Sequence, residues 1–222
     1  MSAKKKMSAE EQFWTTRLER AAEALKTRNF GASVHATGKD AAEYLVKKML
    51  GKSWKGTVNF GGSASVDQSG VVPLLQKLPG ANIIATHGGC ARDETFFQLR
   101  REHFICDLYL CSSNAVTMAG QLLNVDGLGN RVASILYGPA KVVLFVGRNK
   151  LCETLEAAED RVRNLAAPMN NMRLDAPNPC VKTVRCMDCK SPRRICNYRV
   201  LTERSNPAER IHVLLINEDL GF

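Results

Sequence analysis

The chain has 222 residues, 45% hydrophobic and 24% charged, with a formal net charge of +9. That size and balance fit one soluble globular domain with a real core, and no apolar run reaches the ~20 residues that a membrane-spanning helix needs. The positive charge admits nucleic acid or anionic metabolites as partners, but the basic residues are scattered and aromatics make up only 6% of the chain, which leaves little material for base stacking.

Lys4-Lys5-Lys6 and the polar residues after them lack the apolar centre of a signal peptide. Residues 1–7 therefore read as a disordered basic tail, and the expected compartment is the cytoplasm. Ser8 with Glu11 three residues later is a capping box, and Trp14, Leu18, Ala22 and Leu25 follow at helical spacing, so a helix to about Lys26 is predicted. A short strand over 33–37 and an amphipathic helix over 39–50, stopped by Gly51, come next.

A strand then runs into Gly61-Gly62-Ser63, with a helix starting near Ser65 and apolar positions through Leu78. A glycine turn between strand and helix exposes backbone N–H groups suited to an anion, and it also serves simply to reverse the chain tightly. Neither the dinucleotide nor the Walker fingerprint is present, and no nucleotide cofactor is evident. A strand over 82–86 leads to a small loop, His87-Gly88-Gly89-Cys90, and a charged helix over 92–101. His87 has no acidic residue or second His close in sequence, and His87 with Cys90 is a weak nucleophile pair.

A strand over 105–111 is followed by Ser112-Ser113-Asn114 and by Thr117. The polar stretch 124–131 reads as a turn with two glycines, and it gathers Asn124, Asp126, Asn130 and Arg131. A guanidinium beside amide side chains can grip a carboxylate or phosphate. It can equally pair with Asp126 and pin the loop. Asp126 is the carboxylate in this region and so the candidate for orienting a hydroxyl or moving a proton. Two further strands are predicted over 132–137 and 141–146. A helix follows over 152–165, whose Glu153, Glu156, Glu159, Arg161 and Arg163 lie at solvated-face spacing. Ala167-Pro168 and 176–179 break regular structure, and an apolar final strand over 211–216 is expected to return to the main sheet.

The eight cysteines fall into two groups. Cys90, Cys106, Cys111 and Cys152 are isolated in or beside apolar segments and read as core thiols. Cys180, Cys186, Cys189 and Cys196, spaced C-x5-C-x2-C-x6-C, are dense enough to suggest one metal centre, zinc or a [4Fe–4S] cluster, rather than disulfides. Four unliganded thiols is the alternative.

Strands alternating with helices predict one α/β domain over 1–222, with a mainly parallel sheet, flanking helices and a Cys-rich metal-binding loop over 177–199 before the last strand. The runs SSNAVTMAG, GNRVAS and YGPAKVVLFVGRNKL, with the Cys-rich tail after them, resemble the LUD-domain (lactate utilisation) family from about Phe13 to the last strand. The resemblance implies a fold like the NagB/RpiA/CoA-transferase group and a place in organic-acid metabolism. It also strengthens the Gly-Gly-Ser turn as a binding element. Met118 stands where relatives commonly carry an acidic residue, and this segment holds no glutamate to act as the nucleophile of CoA transferases.

The leading reading is a protein that binds a small anionic metabolite through Gly61, Gly62, Ser63, Asn114, Thr117, Asn124, Asn130 and Arg131, with a four-cysteine metal centre and electron transfer to a redox partner protein as one outcome. A metal-bearing sensor or docking protein without turnover is the second reading, and a zinc-ribbon-like nucleic-acid binder the third and weakest. Oligomeric state is not legible.

Overall fold

The computed structural model describes residues 7–85 and 94–222. Its frame is a six-stranded, all-parallel sheet made of β1 (Gly31–His35), β2 (Gly56–Phe60), β3 (Ala81–Ala85), β4 (Leu108–Cys111), β7 (Lys141–Gly147) and β10 (Ile211–Ile216). Their order across the sheet is β1-β10-β7-β4-β2-β3. The two most apolar segments of the sequence, β7 and β10, are neighbours in the middle of this sheet, as strands covered on both faces must be.

Their alternating side chains feed two separate cores. Val142, Leu144 and Val146 pack with Leu18, Ala21 and Leu25 of α1 (Ala9–Thr27). Val143 and Phe145 point the other way, onto Ala41 of α2 (Gly38–Tyr44), Val66 of α3 (Ala64–Gln68) and Leu75 of α4 (Val71–Gln76). The predicted capping box is present: the Glu11 N–H donates to Ser8 Oγ at 3.1 Å and the Ser8 N–H to Glu11 Oε2 at 2.7 Å. Gly51, at φ +78°, closes the helical run that continues from α2 through Leu50.

A second, four-stranded sheet sits beyond the carboxyl end of β4. It comprises β5 (Ala115–Thr117), β6 (Leu122–Asp126), β8 (Leu151–Cys152) and β9 (Tyr198–Thr202), in the order β8-β5-β6-β9. None of these strands was expected. They are short, and their apolar residues are interrupted by Asn124, Asp126 and Gly120, which read as turn chemistry.

Other expectations are corrected. Residues 132–137 are not a strand but most of α6 (Asn130–Leu136), with Val132 and Ile135 buried three apart; a short apolar run cannot by itself separate the two periods. Pro168 does not break the chain: α7 (Leu155–Arg161) passes through a wide turn into α8 (Ala167–Arg173), and Pro168 occupies its first turn, where a missing N–H is harmless. The helix expected from Ser65 to Leu78 is two helices, α3 and α4, parted by Gly70 at φ +70°. The expected strand over 105–111 begins only at Leu108, with Ile105 83% exposed.

Helix α5 (Glu94–Arg101) holds the end of the predicted charged helix. The basic tail through Lys6 and the loop with His87 and Cys90 lie outside the described residues. Among the described residues no helix is long and apolar enough to cross a membrane.

Candidate functional site

Parallel strands end on one side of a sheet, and ligands of open α/β folds bind there. Four strands of this sheet deliver residues to one cavity of about 360 Å³: Gly61 to Ser65 after β2, Ser112 to Asn114 after β4, Lys150 after β7, and Gly221 and Phe222 after β10. Asp126 and Arg131 close one wall, with Arg100 and Arg173 also in the lining. Asp126 is the only carboxylate side chain among the described lining residues, so the cavity favours anions.

The loop over 126–131 is held by its own side chains. Asp126 Oδ1 accepts the N–H groups of Leu128 and Gly129 at 3.1 and 2.8 Å. Gly129, at φ +87°, then turns the chain into α6. Arg131 lies in the first turn of that helix and reaches back across the second sheet. Its Nη1 donates to Ser112 O and Asn124 Oδ1 at 3.0 and 2.6 Å, and its Nη2 to Asn114 Oδ1 and Val125 O at 2.9 and 2.7 Å. Nε faces Asp126 Oδ2 at 3.4 Å. A guanidinium has five N–H groups; four donate to protein acceptors here, and the fifth, on Nε, is within ion-pair distance of Asp126. Asn114 and Asn124 complete this knot, Asn114 Oδ1 also accepting the Val125 N–H at 2.9 Å.

Of the predicted ligand-binding residues, Gly61, Gly62, Ser63, Asn114, Asn130 and Arg131 line the cavity, as does Asp126. Asn124 is fully buried behind Arg131. Thr117 is also fully buried, and its hydroxyl accepts the Gln121 N–H at the turn between β5 and β6, outside the cavity lining. A Cβ added to Gly62 would meet nothing within 4 Å, so this glycine borders open space; one added to Gly61 would lie 3.0 Å from Tyr109 Oη.

Lys150 was not foreseen. It is 3% exposed, and its Nζ donates to Ser65 Oγ at 2.7 Å and Ser112 Oγ at 2.9 Å. Those hydroxyls in turn reach the carbonyls of Leu220 at 3.2 Å and Phe145 at 2.6 Å. Burial, and after it the charges of Arg161 and Arg131, pull the amine down to about 7. Its signal in the sequence was a cation three residues beyond the end of an apolar strand. Arg161 is the second surprise. It was read as solvated, yet it is 9% exposed and donates to Asn149 O and Asn114 O at 2.8 and 2.7 Å.

A region matching the LUD domain family model spans residues 18–216, nearly the whole chain. The chain belongs to the LUD domain family. No curated protein matches it. Among solved structures, this LUD-domain chain is similar to a DUF162 family protein from Deinococcus radiodurans, with 9% identity over 91% of this chain and 98% of that one and a TM-score of 0.49.

The clustered cysteines lie apart from the main cavity. All four are free thiols, and Cys180, Cys186, Cys189 and Cys196 line one small cavity of about 30 Å³. Arg194 ties the segment together, donating to Cys189 O at 2.7 Å and Cys196 O at 3.1 Å. Burial lifts the Cys196 thiol to about 11, and burial with the neighbouring thiols raises Cys180. Among the described residues no three His, Cys, Asp or Glu side chains are placed as a ready-made metal cage. Cys106, Cys111 and Cys152 are buried core thiols.

Proposed function

We propose that this LUD-domain protein binds a small anionic metabolite, of the carboxylate class that lactate-type metabolism handles, in the cavity at the strand carboxyl ends. The observation that carries this reading is Lys150, a buried amine at the cavity wall whose hydrogen-bond partners are two neutral hydroxyls rather than a carboxylate. A buried cation without a counter-charge is costly, and an incoming anion supplies what the protein does not. Gly62 leaves room for it, and Asp126, the carboxylate of the described lining, would orient a ligand hydroxyl or take its proton. Arg131 would contribute its charge to the cavity wall rather than a vacant donor, since its Nη groups already donate to protein acceptors.

Calorimetric titration with L-lactate, pyruvate and inorganic phosphate tests the reading, with Gly62→Val as the probe. In the open space beside Gly62 the added methyls should weaken binding by about tenfold or more, equivalent to about 1.4 kcal/mol. Equal affinity in a folded variant would make the turn structural only, and failure to bind any of the three anions would overturn the reading.

A second reading concerns Cys180, Cys186, Cys189 and Cys196, which we infer bind one metal centre, zinc or an iron–sulfur cluster. It is supported by their spacing and by their lining one cavity without any disulfide. Such a centre would supply structural cross-linking or electron transfer to a redox partner protein. Protein purified without oxygen should carry about one zinc, or iron with sulfide. Four reactive thiols with neither metal would refute it.

A further inference from the structure

We propose that Lys150 is a Schiff-base residue, its amine condensing with the carbonyl carbon of a small aldehyde or ketone that also bears a carboxylate or phosphate. The inference rests on the anion-binding reading of the cavity and adds a covalent step to it.

The surroundings of Nζ hold it with two hydroxyls and no carboxylate. Ser112 Oγ lies 2.6 Å from Phe145 O, so its proton goes to that carbonyl, and Ser65 Oγ has Leu220 O at 3.2 Å for its own. Both hydroxyls then offer lone pairs, and both N–H groups of a neutral amine are taken up at 2.7 and 2.9 Å. The remaining tetrahedral position on nitrogen is left for the lone pair, and Lys150 is one of the residues lining the cavity. Gly221 keeps that region open: a Cβ there would stand 2.5 Å from Ser65 Oγ and 3.3 Å from Lys150 Nζ.

The charged and titratable groups around the amine point the same way. Arg161 of α7 and Arg131 of α6 both disfavour the ammonium, while the Cys111 thiol of β4 opposes them weakly. Asp126 of β6 and Arg173 of α8 line the same cavity, and Asp126 is held against Arg131. A neutral amine near pH 7 is the reactive form for addition to a carbonyl.

The step balances without a co-reactant. The nitrogen lone pair forms a C–N bond as the carbonyl π pair moves to oxygen, and one amine proton passes to that oxygen. Loss of the hydroxyl as water, with the second amine proton, leaves C=N.

The whole protein is incubated with pyruvate or with glyceraldehyde 3-phosphate, reduced with cyanoborohydride, and analysed by intact mass and peptide mapping. The expected result is one saturable reduced adduct on Lys150, suppressed by excess L-lactate or phosphate, which compete for the cavity but have no carbonyl. The two carbonyl compounds decide whether the anionic group is carboxylate or phosphate. Lys150→Arg should lose that adduct, and Lys150→Met provides a second variant should the arginine not fit; thermal unfolding confirms that each is folded. Capture should rise as pH rises through about 7, whereas non-covalent binding of lactate should fall. Adducts confined to surface lysines, or an adduct that survives in a folded Lys150 variant, overturn the proposal. If pyruvate and lactate bind in the cavity with no adduct, this proposal alone falls; if no anion binds, the binding reading falls with it.

Discussion

The loop over 126–131 and the turn Arg148–Lys150 each bring a cation to the same cavity. Arg131 arrives with a carboxylate and four neutral acceptors waiting for it, from Ser112, Asn114, Asn124 and Val125. Lys150 meets two serine hydroxyls and two nearby guanidinium groups. One cation is therefore tied down by four hydrogen bonds and a carboxylate, a strut between the second sheet and α6. The other is under pressure to shed its proton. Two positive residues in one cavity can thus have opposite chemistry, and the difference lies in their acceptors, which no residue count reveals.

Breaking the strut should have the largest effect on stability. Arg131→Met keeps much of the side-chain volume but takes the guanidinium away from Asp126, two amide oxygens and two carbonyls. Removing one partner of such a buried pair costs about 3–5 kcal/mol. Urea unfolding checks this, and a loss under about 1 kcal/mol would mean that the knot contributes little. The sequence shows Arg131 only as part of a polar turn; with its side chain 18% exposed, stability is where the substitution should act first.

Lys150→Met should do the reverse, and its effect should depend on pH. The amine falls from 10.5 to about 7 on folding. Between those values the unfolded chain holds a proton that the folded chain has released, so wild-type stability should rise with pH across that interval. Below about 7 both states are protonated and the folded one carries the full cost of a buried ammonium. The variant should therefore gain on wild type near about pH 6, and the gain should shrink toward about pH 10, by about 1.4 kcal/mol for each pKa unit of depression. A difference independent of pH would mean that Lys150 stays charged in the fold.

The frame of the molecule was legible because the relevant physics is local. Alternating strands and helices, the Ser8–Glu11 capping box and the apolar β7 and β10 all follow from spacing and composition. The lining of the candidate cavity was half legible. Gly61, Gly62 and Asp126 reach the cavity because turns at strand ends must, and the polar loop marked one wall of it. What failed depended on long-range contacts. Lys150 meets Ser65 and Ser112, which are 85 and 38 residues away in the chain, and Arg161 meets Asn114 from 47 residues away. The strands of the second sheet likewise exist only through their pairing, Asn124 standing opposite Val200 and Asp126 opposite Tyr198. No window of sequence contains those partners.

A smaller effect is expected where Lys150 is kept clear. Gly221 has φ +61°, and a Cβ there would meet Ser65 Oγ at 2.5 Å. Gly221→Ala combines left-handed backbone with a local clash and should cost about 1–2 kcal/mol. Since Ser65 is the hydroxyl displaced, adduct formation at Lys150 should fall with it; adduct formation at the wild-type level would show that Ser65 does not hold the amine.

Gly62→Ala should have the smallest effect on the fold. No positive φ constrains Gly62, and its added Cβ would find nothing within 4 Å. Stability should stay within about 0.5 kcal/mol of wild type, as for substitutions that touch no packed group. The comparison between the two cations then becomes a test of the cavity itself. Arg131→Met alters a scaffold and Lys150→Met alters a charge, so a loss of anion binding in either has more than one cause. Gly62→Ala alters only free volume. A modest loss of lactate affinity that deepens in Gly62→Val, with both proteins melting as wild type does, would place the anion against the turn after β2. Unchanged affinity in both would free that turn of any binding role and leave the Lys150 side of the cavity, between Ser65 and Ser112, as the place to look.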